Sequence, residues 1–154
     1  MKMKKVITML LSIALVIGML PTSAFGANAS EEIEYYVSIN GSDSNEGTEV
    51  NPFQTISKAV SNLKSSANGI VKIIGEYEIS DDDFSSEHSE NIVIEGADTT
   101  SKLKISNNVS VKSGPYVIRN IDLNYPNGSR TFFACGNEVT FGTGITTSGN
   151  PEGW

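Results

Sequence analysis

The chain has 154 residues, and its 11 Lys and Arg against 18 Asp and Glu give a formal net charge of −7. This acidity argues against binding to nucleic acid or to anionic membranes, because neutralising phosphates requires clustered Lys and Arg. A single cysteine, Cys135, excludes an internal disulfide framework. Its place in the apolar run 132–135 predicts a buried, inert thiol.

The N-terminal segment 1–27 has the organisation of a signal peptide. Lys2, Lys4 and Lys5 precede an apolar run over positions 6–20, and small residues follow. An uncleaved anchoring helix is disfavoured, since the run is short for a span of about 20 residues. We therefore predict a secreted or cell-surface protein. Its mature part, residues 28–154, has 8 basic and 18 acidic residues and a net charge of −10.

The mature chain opens with an alternating segment and a polar loop. Tyr35, Val37 and Ile39 alternate with more polar neighbours, which predicts a half-buried strand. Residues 40–48 are rich in Gly, Asn, Asp and Ser, residues whose backbone preferences and side-chain hydrogen bonds favour turns.

An amphipathic helix is predicted next. Asn51 is placed as its N-cap, Pro52 as its first residue, and Gln54 as the residue that completes a capping box. One apolar stripe follows at three- and four-residue spacing: Phe53, Ile56, Ala59, Val60 and Leu63. Because the end of a stack of strands exposes apolar side chains and unpaired backbone groups, we expect this helix to cover it.

Short strand-like runs separated by Gly and Asn turns occupy the rest of the chain, at residues 69–79, 91–96, 102–106, 116–125, 132–134 and 138–147. Ile70, Ile92, Val117 and Val139 recur at a nearly constant interval of about 20–25 residues, a repeat length typical of a solenoid. The sequence thus predicts a mainly β protein: a parallel β-helix of about three coils with an N-terminal capping helix.

The segment YYVSINGSDSNEGTEVNPFQTISKAVSNL, residues 35–63, carries a resemblance. It resembles the N-terminal segment of secreted right-handed parallel β-helix proteins of the pectate-lyase-like superfamily. There a strand, a Gly-Ser-Asp-x-Asn-x-Gly loop and a Pro-Phe-x-Thr-Ile helix precede the coils, whose strands are similar to NIVIEG and YVIRNIDL here. The resemblance implies a right-handed β-helix. The same opening precedes lyases, glycosidases, epimerases and adhesins, so it does not imply one activity.

Two acidic segments are weak candidates for a metal site, and calcium is the one cofactor that they leave open. Asp43, Asn45 and Glu46 resemble the start of a calcium loop, but the positions that an EF-hand reserves for Gly and Glu hold Thr48 and Gln54. A turn held by side-chain hydrogen bonds is the favoured interpretation. Asp81, Asp82 and Asp83 form the densest acidic run, and we expect a solvated loop rather than a site completed by a carboxylate such as Asp98. We assign no metal-binding residue.

No residue is assigned a catalytic role. His88 is the sole histidine and lies in a polar loop without a nucleophile placed for a triad. Glu95 and Asp122 could serve as acid and base on one face, but alternation favours two outward-facing strand residues. Lyases of the family use a positive residue as the base, with calcium on acidic ligands. For Arg119 we expect a surface role instead.

The chain ends at residues 148–154 without a second cap. We expect further coils of a longer protein beyond this point, because an uncapped last coil would invite edge pairing. The expected function is that of a non-catalytic cell-surface or secreted module, adhesive or carbohydrate-associated, whose partner is a polysaccharide or cell-wall glycan. The alternative is the N-terminal part of a polysaccharide lyase or glycoside hydrolase acting on acidic polysaccharide.

Overall fold

The computed structural model describes residues 32–63, 69–88, 91–126, 133–135 and 139–149. The predicted signal peptide, positions 1–27, lies outside these ranges, and so do Arg130 and the side chain of Cys135. The described chain is mainly β, as predicted, and contains one α-helix. None of its helices in these ranges is long and apolar enough to cross a membrane.

All strand pairs between the described strands are parallel, so the antiparallel hairpins that would have contradicted the predicted stacking are not found among them. The strands are β1 Ile33–Val37, β2 Gly69–Ile73, β3 Glu76–Glu78, β4 Ile92–Gly96, β5 Lys102–Lys104, β6 Val109–Val111, β7 Tyr116–Arg119, β8 Asp122–Tyr125, β9 Phe133–Cys135, β10 Val139–Phe141 and β11 Thr146–Gly149. They form sheet A (β1-β2-β4-β7-β10), sheet B (β11-β8-β5-β3) and sheet C (β6-β9).

From β2 onward, successive strands of sheet A pair at a nearly constant step along the chain. Ile92 pairs with Tyr116, Tyr116 pairs with Val139, and β2 meets β4 after almost the same step along the chain. This spacing agrees with the predicted repeat. The predicted alignment is wrong by one position for Ile70 and Val117. Because side chains alternate between faces, Ile92 points into the core while Val117 lies half-buried on the outer face.

Three runs that the sequence predicts as single strands are each divided by a turn, and the run 138–147 is one of them, since it separates into β10 and β11 around Gly144. Residues 69–79 separate into β2 and β3 around Gly75, where φ is +70°. Residues 116–125 separate into β7 and β8 around Asn120, where φ is 49°. Gly adopts this left-handed conformation freely, and Asn tolerates it better than most residues. The chain therefore passes from sheet A to sheet B at these positions.

The α-helix of the described chain, α1 (Ile56–Leu63), begins later than predicted. Asn51 and Pro52 lie in the preceding loop, and Phe53 forms a parallel bridge with Val37. Its N–H donates to the Tyr36 carbonyl at 2.9 Å, so this backbone extends the edge of sheet A instead of entering the helix.

Thr55 takes over the N-cap role that the sequence assigns to Asn51. The Thr55 hydroxyl accepts a hydrogen bond from the Lys58 N–H at 3.1 Å, the pattern that satisfies one of the free donors of a first helical turn. The predicted apolar stripe is confirmed from the helix start onward, because Ile56, Ala59, Val60 and Leu63 are all buried.

One contiguous hydrophobic core receives side chains from the three sheets, from α1 and from the 3₁₀ helix Asp81–Phe84. Its largest fully buried members include Phe53, Ile56, Leu63, Phe84, Ile92, Ile94, Leu103, Tyr116 and Ile118. Burying an aliphatic side chain of this kind stabilises the fold by about 1.5–3 kcal/mol. Since the inner faces of the sheets are filled in this way, polar chemistry is confined to the outer faces and the turns.

Candidate functional site

The acidic run 81–83 does not behave as a solvated loop, and its three carboxylates do not share one ligand. Asp81 accepts a hydrogen bond from the Ser110 N–H at 2.7 Å, while Asp82 is exposed. Asp83 is only 3% exposed, so the prediction of a solvated loop is wrong for this residue. The three carboxylates diverge because they lie on a tight 3₁₀ turn, where successive side chains point in different directions.

Asp83 lies in a buried network that joins the 3₁₀ helix to α1. Its Oδ1 accepts from the Tyr77 hydroxyl at 2.7 Å, and its Oδ2 accepts from the N–H and hydroxyl of Ser80 at 2.9 and 3.0 Å. The Tyr77 hydroxyl in turn accepts from the Ile56 N–H at 3.3 Å. Burial raises the pKa of Tyr77, and the charge of Asp83 raises that pKa further. The network is therefore structural, with its acceptor capacity used within the fold.

The second weak metal candidate also forms protein contacts. Asp43 Oδ1 accepts from the N–H groups of Gln54 and Thr55, both at 2.9 Å, and its Oδ2 accepts from the Thr55 hydroxyl at 2.9 Å. Asn45 donates from Nδ2 to the Pro52 carbonyl at 2.9 Å. These bonds agree with the favoured interpretation of a turn held by side-chain hydrogen bonds. Within the described ranges no three His, Cys, Asp or Glu residues are grouped so as to hold a metal ion.

A charged cluster crosses three strands on the outer face of sheet A. Lys72 of β2, Glu95 of β4 and Arg119 of β7 occupy paired register positions. Glu95 Oε1 binds the Lys72 ammonium, and its Oε2 accepts from Arg119 Nε at 2.7 Å. Asn120 adds an Nδ2 hydrogen bond to the same Oε2 at 3.3 Å. Glu95 is thus outward-facing, as predicted, but these neighbours cover it to 6% exposure.

The surroundings of Glu95 keep it ionised. Burial alone would raise its pKa, but the hydrogen bonds and positive charges of Lys72 and Arg119 outweigh burial and lower that pKa. The same pairing raises the pKa of Lys72 against the opposing effect of burial. A general acid needs the opposite, a raised pKa that keeps its proton available. The cluster therefore fits an ion-pair ladder that ties strands together.

The other residues considered for catalysis lie apart from this cluster. The ring of His88 packs edge-on against Tyr116, with ring centroids 4.6 Å apart. Asp122 lies on sheet B, so Glu95 and Asp122 belong to the outer faces of different sheets. Asp122 accepts hydrogen bonds from the hydroxyls of Thr146, at 2.9 Å, and Ser148. The structure does not assemble Glu95 and Asp122 as a facing acid and base.

A groove of about 370 Å³, open to solvent, lies where sheet A turns into sheet B. Three successive turns line it, with Gly96, Asp98, Thr99 and Ser101 from the first, Asn120, Ile121 and Asp122 from the second, and Gly144 and Thr146 from the third. Neighbouring strands lie about 4.8 Å apart, so the groove runs across the strands and meets polar groups from each repeat. We take this groove as the candidate site because the three turns bring their polar side chains together there.

Backbone geometry fixes the floor of this groove. Gly144 has a φ of +72°, and a Cβ at this position would clash with Asn120 Oδ1. Glycine at 144 therefore lets two neighbouring turns approach closely. Asn120 links the groove to the cluster on sheet A through its bond to Glu95.

Asp98 is the acidic group on the first turn. Its Oδ1 accepts from the N–H and hydroxyl of Thr100 at 2.8 and 2.7 Å and from the Ser101 hydroxyl at 3.2 Å. These hydrogen bonds, led by that of the Thr100 hydroxyl, lower the pKa of Asp98. Because all three of these bonds go to Oδ1, Oδ2 is the oxygen of Asp98 that can accept a hydrogen bond from a ligand.

Sequence reasoning considered Asp98 as a partner of the run 81–83 and Asp122 as a partner of Glu95, and did not bring Asp98 and Asp122 to one groove. The sequence signal that could have found the groove is the position of the turns. A short polar turn follows the alternating strand in each repeat, at Asp98, Asn120 and Thr143. Aligning the repeats on these turns would have placed their side chains together. No family model, curated protein or solved structure matches the chain.

Proposed function

We propose that the described strands are the coils of a right-handed parallel β-helix with α1 as its cap, in an exported, non-catalytic module that binds polysaccharide. Parallel pairing at a nearly constant step along the chain supports this architecture, since a solenoid repeat contacts only its neighbours. The packing of α1 against the core beside β1 and β2 supports its role as a cap.

The observation that carries the binding proposal is the groove between sheets A and B. Each of three repeats contributes hydroxyl, amide or carboxylate groups to it, from Thr99, Asn120 and Asp122 among others. Such groups donate to and accept from sugar hydroxyls. A chain of repeating units matches a groove built from repeating turns. The rigid strands on both sides hold these groups in place without a ligand, which reduces the entropic cost of binding.

The preference for binding over catalysis rests on the protonation of the acidic and basic groups. The pKa values of Asp98 and Glu95 are lowered, whereas a glycosidase needs one carboxyl group that is protonated at neutral pH. Arg119 donates from Nε to the Glu95 carboxylate, so this donor is engaged within the fold instead of facing a substrate.

Binding can be tested by blocking the groove. Thr99 is exposed on its wall, so Thr99→Arg should fill the groove without disturbing the core. In affinity electrophoresis against a panel of cell-wall polysaccharides, the mature protein should be retarded by at least one polymer. Thr99→Arg should be retarded less, with an apparent Kd for that polymer at least tenfold higher than that of the parent protein.

Asn107→Arg is the matched control, since Asn107 is exposed and does not line the groove. It should bind like the parent protein. Absence of binding to every polymer, or equal binding by Thr99→Arg, would contradict the proposal.

The alternative of a polysaccharide lyase fragment draws on Arg119, whose side chain is 37% exposed beside Glu95 on sheet A. A lyase acting on polygalacturonate with added calcium would release an unsaturated product that absorbs ultraviolet light. Release of that product by the parent protein, and its loss in Arg119→Lys, would favour the lyase over the binding module.

A further inference from the structure

Acidic side chains outnumber basic ones among the described residues that line the groove. Two carboxylates, those of Asp98 and Asp122, are among the described residues that line it, and no cationic side chain is. Asp122 forms an ion pair with Lys102 (Oδ2 to Nζ, 3.9 Å), which offsets part of its charge, whereas Asp98 is held by the uncharged donors of Thr100 and Ser101. The groove therefore presents negative potential to a ligand.

Three other cations of the neighbouring surfaces are engaged outside the groove. Lys72 and Arg119 both bind Glu95 on sheet A, and Lys104 binds Glu78 on sheet B at 2.9 Å. Moving one of them into the groove would leave a carboxylate without its partner. For Glu95 this loss would be costly, because the carboxylate is nearly covered.

We propose that the polysaccharide bound by this groove is neutral, with sugar hydroxyls donating to the carboxylates of Asp98 and Asp122. This inference rests on the proposed function and specifies its ligand. A polyuronate would bring its own carboxylates against those of Asp98 and Asp122, and such like-charge contacts oppose binding. A neutral sugar instead forms hydrogen bonds to ionised acceptors, which are about twice as strong as bonds between neutral groups.

The ligand class can be read from a paired binding experiment. The mature protein is titrated with neutral polymers (galactan, xylan and glucomannan) and with polygalacturonate, without calcium and then with it, at 50 and 500 mM NaCl. We expect binding to at least one neutral polymer with less than a twofold change in Kd between the two salt concentrations, since neutral ligands are not screened. Polygalacturonate should bind at least tenfold more weakly in all conditions.

Two charge-removing substitutions sharpen the test. Asp98→Asn and Asp122→Asn each keep an oxygen acceptor but remove a charge, so each should weaken binding of the neutral polymer about fivefold. Their double variant should gain affinity for polygalacturonate relative to the parent protein. Asp82→Asn, which removes the same charge from an exposed position outside the groove, should change neither affinity.

The outcomes separate this inference from the proposed function. Binding of polygalacturonate in preference to neutral polymers, with or without calcium, overturns the inference and leaves polysaccharide binding intact. Equal affinities of parent and variants for the neutral polymer also overturn it, because Asp98 and Asp122 would then not be its acceptors. Failure of every polymer to bind overturns both.

Discussion

Asp83 is a charged residue whose contribution is structural, because its two oxygens accept hydrogen bonds inside the core. We expect Tyr77→Phe to destabilise the protein by about 2 kcal/mol, since it leaves a buried carboxylate oxygen and the Ile56 N–H without their shared partner. Urea unfolding followed by circular dichroism would measure the change in the free energy of unfolding.

Tyr35→Phe provides the comparison for this substitution. Tyr35 is half-buried against the ring of Phe53 and lies outside the network of Tyr77 and Asp83. Its loss of a hydroxyl should change the unfolding free energy by less than about 0.5 kcal/mol. Similar effects of the two substitutions would show that the Tyr77 hydroxyl contributes no more than an ordinary tyrosine hydroxyl.

At the scale of elements, the start of α1 depends on a residue of the preceding loop. Asp43 holds the two N–H groups before the helix and orients the hydroxyl of Thr55, which caps it. We expect Asp43→Ala to lower the free energy of unfolding by about 1–3 kcal/mol, because these donors lose their acceptor. Thermal or urea unfolding of parent and variant measures this loss.

Asp43→Asn separates the hydrogen bonds from the charge. Its amide oxygen can still accept from both backbone N–H groups, so it should recover part of the stability that Asp43→Ala loses. Melting temperatures measured with and without calcium test the opposite interpretation, that this loop binds a cation. If calcium raised the melting temperature of the parent protein and not of Asp43→Ala, the loop would be a cation site and our structural interpretation of Asp43 would be wrong.

Elements with a clear period were predictable from sequence, and their ends were not. The buried stripe of α1 follows from three- and four-residue spacing, and the strands follow from alternation. The helix start was misplaced because Pro52 is compatible with a first helical turn, whereas the edge of sheet A pairs with Phe53. The turn at Asn120 was missed because the apolar residues Ile118 and Ile121 lie on either side of it with no Gly or Pro between them to mark a break.

The candidate site was less predictable than the fold. Ion pairs such as Lys72 with Glu95 depend on register, and the alignment on Val117 was one position out, which changes the face assigned to every residue. Asp83 was predicted to be solvated because three successive aspartates usually lie in water. Its burial depends on Tyr77, whose hydroxyl reaches it only in the folded chain.

At the scale of the whole molecule, Glu95 joins β2, β4 and β7, so its ionisation should affect global stability. Its folded-state pKa is lowered from the ordinary value of 4.5. The stability that it contributes is present above pH 4.5 and is lost as the pH falls through the folded-state pKa, below 4.5. We expect Glu95→Gln to be less stable at pH 7 by about 2 kcal/mol and to show a flatter loss of stability between pH 5 and pH 2.

Calorimetric melting temperatures over this pH range would test the prediction. Glu46→Gln is the control, because Glu46 is exposed in the loop before α1 and lies outside the ion-pair cluster. It should follow the pH profile of the parent protein. Parallel pH profiles of melting temperature for the parent protein and Glu95→Gln would mean that Glu95 does not control the loss of stability at low pH.

The nearly constant step between paired positions of β2, β4, β7 and β10 has a consequence for how the gene can change in length. Each inner strand of sheet A meets only the strand before it and the strand after it, and the unit between them is complete in sequence. If unequal recombination duplicated or deleted one such unit, the strands on either side of the change would still pair with strands of the same kind. The protein could therefore become longer or shorter by whole units during evolution without a new set of core contacts.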